Sequence, residues 1–121
     1  NCEDLNNQNI VKILAKSNGE VIYMSRSDIP HFFRNNESLK KHLSIIAFTK
    51  KSISRFCEFP PSKYELMEGI ELLRAIENNL DVQTVELEGE TRAVDTYEDL
   101  LYVRSEMIYD SWIKHYEQKR K

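Results

Sequence analysis

The stretch that decides the fold is "IVKILAKSNGEVIYMS", residues 10–25. Two apolar, β-branched runs, 10–15 and 21–25, flank the polar "KSNGE". Asn18-Gly19 at its centre tolerates the positive φ that a tight reversal demands. The pattern predicts a β-hairpin over residues 10–25. Such a turn needs no chemical role, because a tight reversal accounts for it.

Outward from the hairpin, residues 1–9 are polar and read as a loop. "SRSDIPHFFRNNESLKK" (25–41) is mostly irregular, since Pro30 restricts Ile29 and the asparagines resist regular structure. That length is unusual for a plain connector and suits an active-site rim. "HLSIIAFT" (42–49) reads as a buried strand. "KKSISRFCEF" (50–59) reads as a short helix with Ile53, Phe56 and Cys57 inward. "PPS" (60–62) stops it. Ser62 with Glu65 forms a capping-box pattern that opens a helix over 63–77. On that helix Leu66, Met67, Ile70, Leu73 and Ile76 share an apolar face, and Glu65, Glu68 and Glu71 point to solvent. Asn78-Asn79 can end it.

"DVQTVEL" (81–87) reads as a strand and "EGET" as a turn, and Arg92-Ala93-Val94 forms a very short strand. Thr96 or Asp95 caps a final helix over 97–117, with Leu100, Leu101, Met107, Ile108 and Trp112 inward. "EQKRK" is its solvated end, and its cations complement the helix dipole. The expected class is α/β with a mixed sheet, parallel and antiparallel pairing together.

Composition narrows the function classes. The chain has 121 residues, 40% of them hydrophobic and 31% charged. This suits one globular domain or a piece of one. A net charge of -3 argues against nucleic acid as the main partner. No apolar run approaches the ~20 residues that span a membrane. The short "KRK" end on an acidic chain makes a nucleic-acid or membrane contact the least favoured reading. Cys2 and Cys57 are too few for a zinc site, and a disulfide between them is not required. A reducing, cytoplasmic setting is expected. His31, His42 and His115 lack metal-ligand spacing. There is no Gly-x-Gly-x-x-Gly and no Gly-Lys-Ser/Thr, so no phosphate loop. The first residue is Asn, as expected for a fragment, a processed product or a renumbered set of ordered residues.

Four segments together resemble the C-terminal half of the bacterial 3-deoxy-manno-octulosonate (Kdo) cytidylyltransferase family. They are "VKILAKSNGEVIYMSRSDIP" (11–30), "KHLSIIAFTKKSISRF" (41–56), "PPSKYELMEGIELLRAIENN" (60–79) and "AVDTYEDL" (93–100). They follow the family's order and spacing. The resemblance implies the C-terminal portion of a doubly wound nucleotidyltransferase fold with a β-hairpin insertion. It implies the sugar-binding and dimerisation half of a homodimer. The implied reaction moves CMP from CTP to Kdo or a related acidic sugar, releases pyrophosphate and uses Mg2+. The product feeds lipopolysaccharide synthesis. In the family, the CTP-gripping loop and the first metal aspartate lie in the N-terminal half. These 121 residues alone are therefore expected to be inactive.

The resemblance also implies roles. Asp95 corresponds to the second metal aspartate, a hard oxygen donor suited to Mg2+. The residues alone allow it to be an N-cap instead. Ser25 and Arg26 lie near the sugar site, where an arginine can pair bidentately with a carboxylate or phosphate. The plainer reading of Arg26 is a surface cation near Asp28. His42 would reach the sugar acid, or simply pack at a strand start. Glu71 would be a substrate ligand, or one more solvated carboxylate.

Several positions depart from the family. "HLSIIAFT" replaces a His-Ile-Gly-Ile-Tyr-Ala-Tyr-Arg pattern, so Ile46, Phe48 and Thr49 lack two hydroxyls and a charge. Leu72 stands for Gln, Lys63 and Tyr97 for Pro, and Ala93 for Gly. The departures fall where sugar specificity is expected to lie. They leave open an acylneuraminate cytidylyltransferase and a noncatalytic homodimerisation module.

Overall fold

The computed structural model describes residues 5–34, 39–87, 93–110, 112–113 and 115–116. The hairpin forms, with β1 (Lys12–Ala15) antiparallel to β2 (Val21–Ser25). Lys12 pairs with Ser25, Ile13 with Met24 and Leu14 with Tyr23. The register then shifts, and Ala15 pairs with Val21. At the turn Gly19 has φ +85°, and the Asn18 side chain accepts from the Glu20 N–H at 3.1 Å. Glycine supplies that φ without a Cβ penalty. A third strand, β3 (Lys40–Lys41), pairs antiparallel with β1, giving the order β2-β1-β3.

The α/β class holds, but every strand pairing among the described residues is antiparallel, where a mixed sheet was expected. Residues 81–87 do not form a strand. Gln83 makes one isolated bridge to Glu20, and Val82 and Thr84 meet the hairpin through Val21 N–H to Val82 O (2.8 Å) and Thr84 N–H to Gly19 O (2.9 Å). The expected strand over 42–49 is absent as well. The His42 N–H continues the pairing to Val11 O at 2.9 Å, but Ser44 then turns into the left-handed region (φ +57°). Past it, Ile45 is 77% exposed. A buried strand needs a partner to satisfy its backbone, and no described strand pairs with this run.

Helix α1 (Lys50–Glu58) is capped by Thr49, whose Oγ1 accepts from the Ser52 N–H at 3.0 Å. Phe56 is half-buried, while Ile53 and Cys57 are exposed rather than inward. The single helix expected over 63–77 is two, α2 (Lys63–Glu68) and α3 (Leu72–Glu77). Gly69 breaks it in the left-handed region (φ +65°), with its N–H donating to Glu65 O at 2.8 Å. This is the usual glycine C-cap. The break also undoes the expected face: Leu66 and Met67 are exposed, whereas Ile70, Leu72 and Leu73 are buried. Asn78 and Asn79 end α3 as expected, Asn79 with φ +54°.

The core joins Val21 and Met24 of the hairpin to Ile70, Leu72 and Leu73. Val11, Ile13, Tyr23, Ile76 and Val82 pack around it. Each such apolar side chain contributes ~1.5–3 kcal/mol on full burial.

The chain divides into two units, Asn1–Glu86 and Leu87–Lys121. In the second, α4 (Tyr97–Met107) starts at Thr96, not Asp95. Thr96 Oγ1 accepts from the Asp99 N–H, and Asp99 Oδ2 accepts from the Thr96 N–H, both at 3.1 Å. The single helix expected to residue 117 is interrupted: α4 ends at Met107, a turn follows at 108–109, and helical residues return at 112–113 and 115–116. Leu100, Leu101, Met107, Ile108 and Trp112 are exposed, not inward. No described helix is long and apolar enough to cross a membrane. Cys2, the "EGET" turn, Arg92 and the "EQKRK" end lie outside the described residues.

Candidate functional site

The end of β2 gathers the site. Its alternation puts Met24 in the core, and Ser25 follows it into burial at the junction with α2. The Ser25 hydroxyl donates to Glu68 Oε1 at 2.8 Å and accepts from the Ser27 N–H at 3.0 Å. The Arg26 N–H donates to the other carboxylate oxygen, Glu68 Oε2, at 3.0 Å. The Arg26 guanidinium is spent largely on backbone. Nε donates to Glu68 O (2.8 Å), Nη1 to Gln8 O (2.9 Å) and Nη2 to Gly69 O (3.5 Å). Arg26 is therefore half-buried and braced, not a loose surface cation beside Asp28.

Asp28 pairs instead with Lys12, at 3.1 Å. Lys12 is 1% exposed, although its strand reads as apolar. Burying an ammonium is costly unless its donors are satisfied. Here Nζ also donates to Asn7 O at 2.6 Å and to Arg26 O at 3.0 Å. Asp28 Oδ2 accepts from the Asn6 N–H at 2.9 Å. That backbone bond, with Lys12 beside it, holds the Asp28 carboxyl below the usual carboxylate range. Burial, reinforced by the negative charge of Glu68, pushes the neighbouring Tyr23 phenol up.

A second ionic pair braces α2 against α3. Arg74 Nε donates to Glu65 Oε2 at 2.8 Å, and Arg74 Nη2 meets Glu65 Oε1. Glu65 also accepts from the Ser62 N–H at 2.8 Å, the returning arm of a capping box. The Arg74 bond holds the Glu65 carboxyl low, and Glu65 in turn raises the guanidinium. Arg74 also lies over the Phe56 ring, 4.9 Å from its centroid.

Each sequence-predicted residue thus has a place. Ser25 and Arg26 share the Glu68 carboxylate. His42 is half-buried, and burial pushes its imidazole down, which favours the neutral form. Glu71 is exposed at the start of α3, and its charge adds to the raised Arg74. Asp95 is exposed one residue before the α4 cap. Among the described residues no hydrogen bond joins His42 or Glu71 to the Arg26 cluster.

Sequence reading missed Lys12, Glu65, Glu68 and Arg74. Glu65 and Glu68 do not face outward: Glu65 is buried, and Glu68 turns to the hairpin. The capping-box spacing already tied Glu65 to the chain start of α2. Nothing in the sequence joined Glu68 to residues 42 and 43 positions earlier.

Mg2+ asks for several hard oxygens. Among the described residues no three His, Cys, Asp or Glu side chains group to hold a metal. Thr96, and not the exposed Asp95 carboxylate, supplies the capping oxygen of α4.

Residues 1–87 match the cytidylyltransferase family. The chain belongs to that family. Its curated relatives include the 3-deoxy-manno-octulosonate cytidylyltransferase of Acidobacterium capsulatum, 36% identical, with 88% of this chain and 44% of the relative covered. The enzyme of the same name from Chloroherpeton thalassium is 38% identical, covering 85% and 43%. Among solved structures, a CMP:2-keto-3-deoxy-manno-octonic acid synthetase complexed with CTP superposes with a TM-score of 0.78 at 28% identity. It covers 88% of this chain and 44% of that one. The chain thus spans less than half the length of these cytidylyltransferases. Ser25, Arg26, His42 and Glu71 fall within the family match, and Asp95 lies beyond it.

Proposed function

We propose that this chain forms the sugar-binding and dimerisation half of a cytidylyltransferase acting on Kdo or a related acidic sugar. The likeness to a CMP-Kdo synthetase complexed with CTP, over 88% of the chain, carries this reading. The anomeric hydroxyl of the sugar attacks the α-phosphorus of CTP and loses its proton. The bond from that phosphorus to the bridging oxygen breaks, and pyrophosphate leaves. Arg26 and His42 bind and orient the acidic sugar, with Glu71 at the rim. Asp95 would supply one oxygen to Mg2+, which when bound would offset charge at the phosphates. CTP is gripped by residues corresponding to the part of the relatives that this chain does not cover. The complete domain is doubly wound, dimeric and cytoplasmic, and serves lipopolysaccharide synthesis.

Ile46, Phe48, Thr49 and Leu72 bear on which sugar is used. Leu72 is aliphatic, so it has no hydrogen bond to give a sugar, and it is buried in the core.

The test measures pyrophosphate release from CTP with Kdo and Mg2+. It uses the chain alone and the chain joined behind the portion of the Acidobacterium relative that it does not match. The joined protein is expected to make CMP-Kdo and the chain alone is not. Asp95→Asn is expected to lower the joined protein's rate at least ~100-fold. A joined protein that folds and binds CTP but transfers CMP to neither Kdo nor an acylneuraminate would refute the reading. It would leave the noncatalytic module.

A further inference from the structure

Arg26 is held at both backbone polar atoms by side chains from other segments. Its carbonyl accepts from Lys12 Nζ at 3.0 Å, and its N–H donates to Glu68 Oε2 at 3.0 Å. Its guanidinium is fixed by the carbonyls of Glu68, Gln8 and Gly69. The left-handed turn at Gly69 is what lets two successive carbonyls, 68 and 69, both reach it. Guanidinium has five N–H donors. These three bonds leave others for a ligand. Ser25, in contrast, has already given its one proton to Glu68 and is 3% exposed.

We propose that Glu68 is a positioning residue of the sugar site, acting through Arg26. This rests on the cytidylyltransferase reading above. The Glu68 carboxylate holds the Arg26 N–H and the Ser25 hydroxyl against the end of α2. This keeps the Glu68 and Gly69 carbonyls in place on the guanidinium, so its remaining N–H groups meet the carboxylate of the acidic sugar without reordering a long side chain. Holding a rotamer-rich side chain in its binding geometry removes an entropy cost from the binding step. The carboxylate suits the task because its two oxygens take two different donors, one hydroxyl and one backbone N–H. Glutamine has one acceptor oxygen. Its oxygen can keep the Arg26 N–H while its amide donates to a rotated Ser25 hydroxyl. Alanine loses both bonds.

The joined protein described above serves for the test, with CTP saturating and Kdo varied. Glu68→Ala is expected to raise the KM for Kdo about tenfold or more, with kcat and the KM for CTP changed less than about twofold. Glu68→Gln is expected to fall between Glu68→Ala and the parent. Arg26→Lys combined with Glu68→Ala should be no worse than Arg26→Lys alone, since Glu68 acts through Arg26. A folded Glu68→Ala with unchanged KM for Kdo overturns the proposal. So does one in which kcat and both KM values worsen together, which marks general loosening. If Glu68→Ala does not fold, Glu68→Gln is judged by the same split. A parent protein that makes no CMP-sugar overturns the functional reading and this proposal together. A parent that does, with both variants unchanged, overturns this proposal alone.

Discussion

The hairpin end and the start of α4 both satisfy polar groups, but over different distances along the chain. At the hairpin, Glu68 bonds to residues 42 and 43 positions away, and Lys12 bonds to Arg26 across 14. At α4, Thr96 and Asp99 satisfy each other across three residues. The first arrangement exists only when the tertiary fold brings its parts together. The second is written into four consecutive residues. Polar groups in the first are buried and costly to leave unpaired, and those in the second can turn to water.

The sharpest way to break this contrast is Lys12→Ala. It strips the donor from Asn7 O and Arg26 O and leaves Asp28 without its cation. Thermal unfolding should fall by about 10 °C. Lys12→Met keeps the stem but not the charge, so it should lose nearly as much. A loss of less than ~2 °C for both would mean the cluster is not a tertiary anchor.

Arg74→Ala should cost somewhat less. It leaves Glu65 buried beside the Ser62 N–H alone, and it uncovers the Phe56 ring. A drop of roughly 5–10 °C is expected in the same measurement. Pairing it with Glu65→Ala should recover part of the loss, because no buried charge is then left unpaired.

Acid should act on the same unit. The carboxyls of Glu65 and Asp28 are lowered in the fold from ordinary values of 4.5 and 3.8. A lowered carboxyl gives stability that is complete above the unfolded value and is lost as pH falls through the folded one. His42 is also lowered, from 6.5, by burial. Its folded form resists protonation, so its share of stability begins to fall once pH drops below 6.5. Stability followed by denaturant midpoints should therefore decline from about pH 6 downward and steepen below about pH 4.5. His42→Gln should flatten the upper part only.

These outcomes bear on what could be read in advance. The hairpin was legible because Asn18-Gly19 and its flanking runs are local signals. The Thr96 start of α4 was nearly legible for the same reason, with Asp95 the competing choice. Asp95 could not be separated from a cap until Thr96 was seen to take that role. Residues 42–49 looked like a strand because apolar composition does not name a partner, and no described strand supplies one. A continuous helix over 63–77 puts Glu65 and Glu68 on its solvent face. Gly69 ended that helix and turned Glu68 toward the hairpin. A smaller effect measures this: Gly69→Ala forces a Cβ into the left-handed region and should cost about 1–2 kcal/mol, with Gly69→Asn milder. The Cβ itself has room, 3.9 Å from the Arg26 guanidinium, so backbone strain and not a clash should set the loss.

The smallest effect should come from Thr96→Ala. It removes the oxygen that accepts from the Asp99 N–H and leaves the Asp99 carboxylate its bond to the residue 96 N–H. The cap is exposed, so water can replace the lost acceptor, and a cost near 1 kcal/mol is expected. Because the bonds are local, the loss should stay local. Amide hydrogen exchange should quicken in the first turn of α4, at residues 97–100, and stay unchanged at Met24, Leu73 and the Arg26 N–H. Thr96→Ser should restore protection. Faster exchange at Arg26 in Thr96→Ala would mean that the two units share one cooperative transition. The division between long-range and local satisfaction would then describe geometry but not stability.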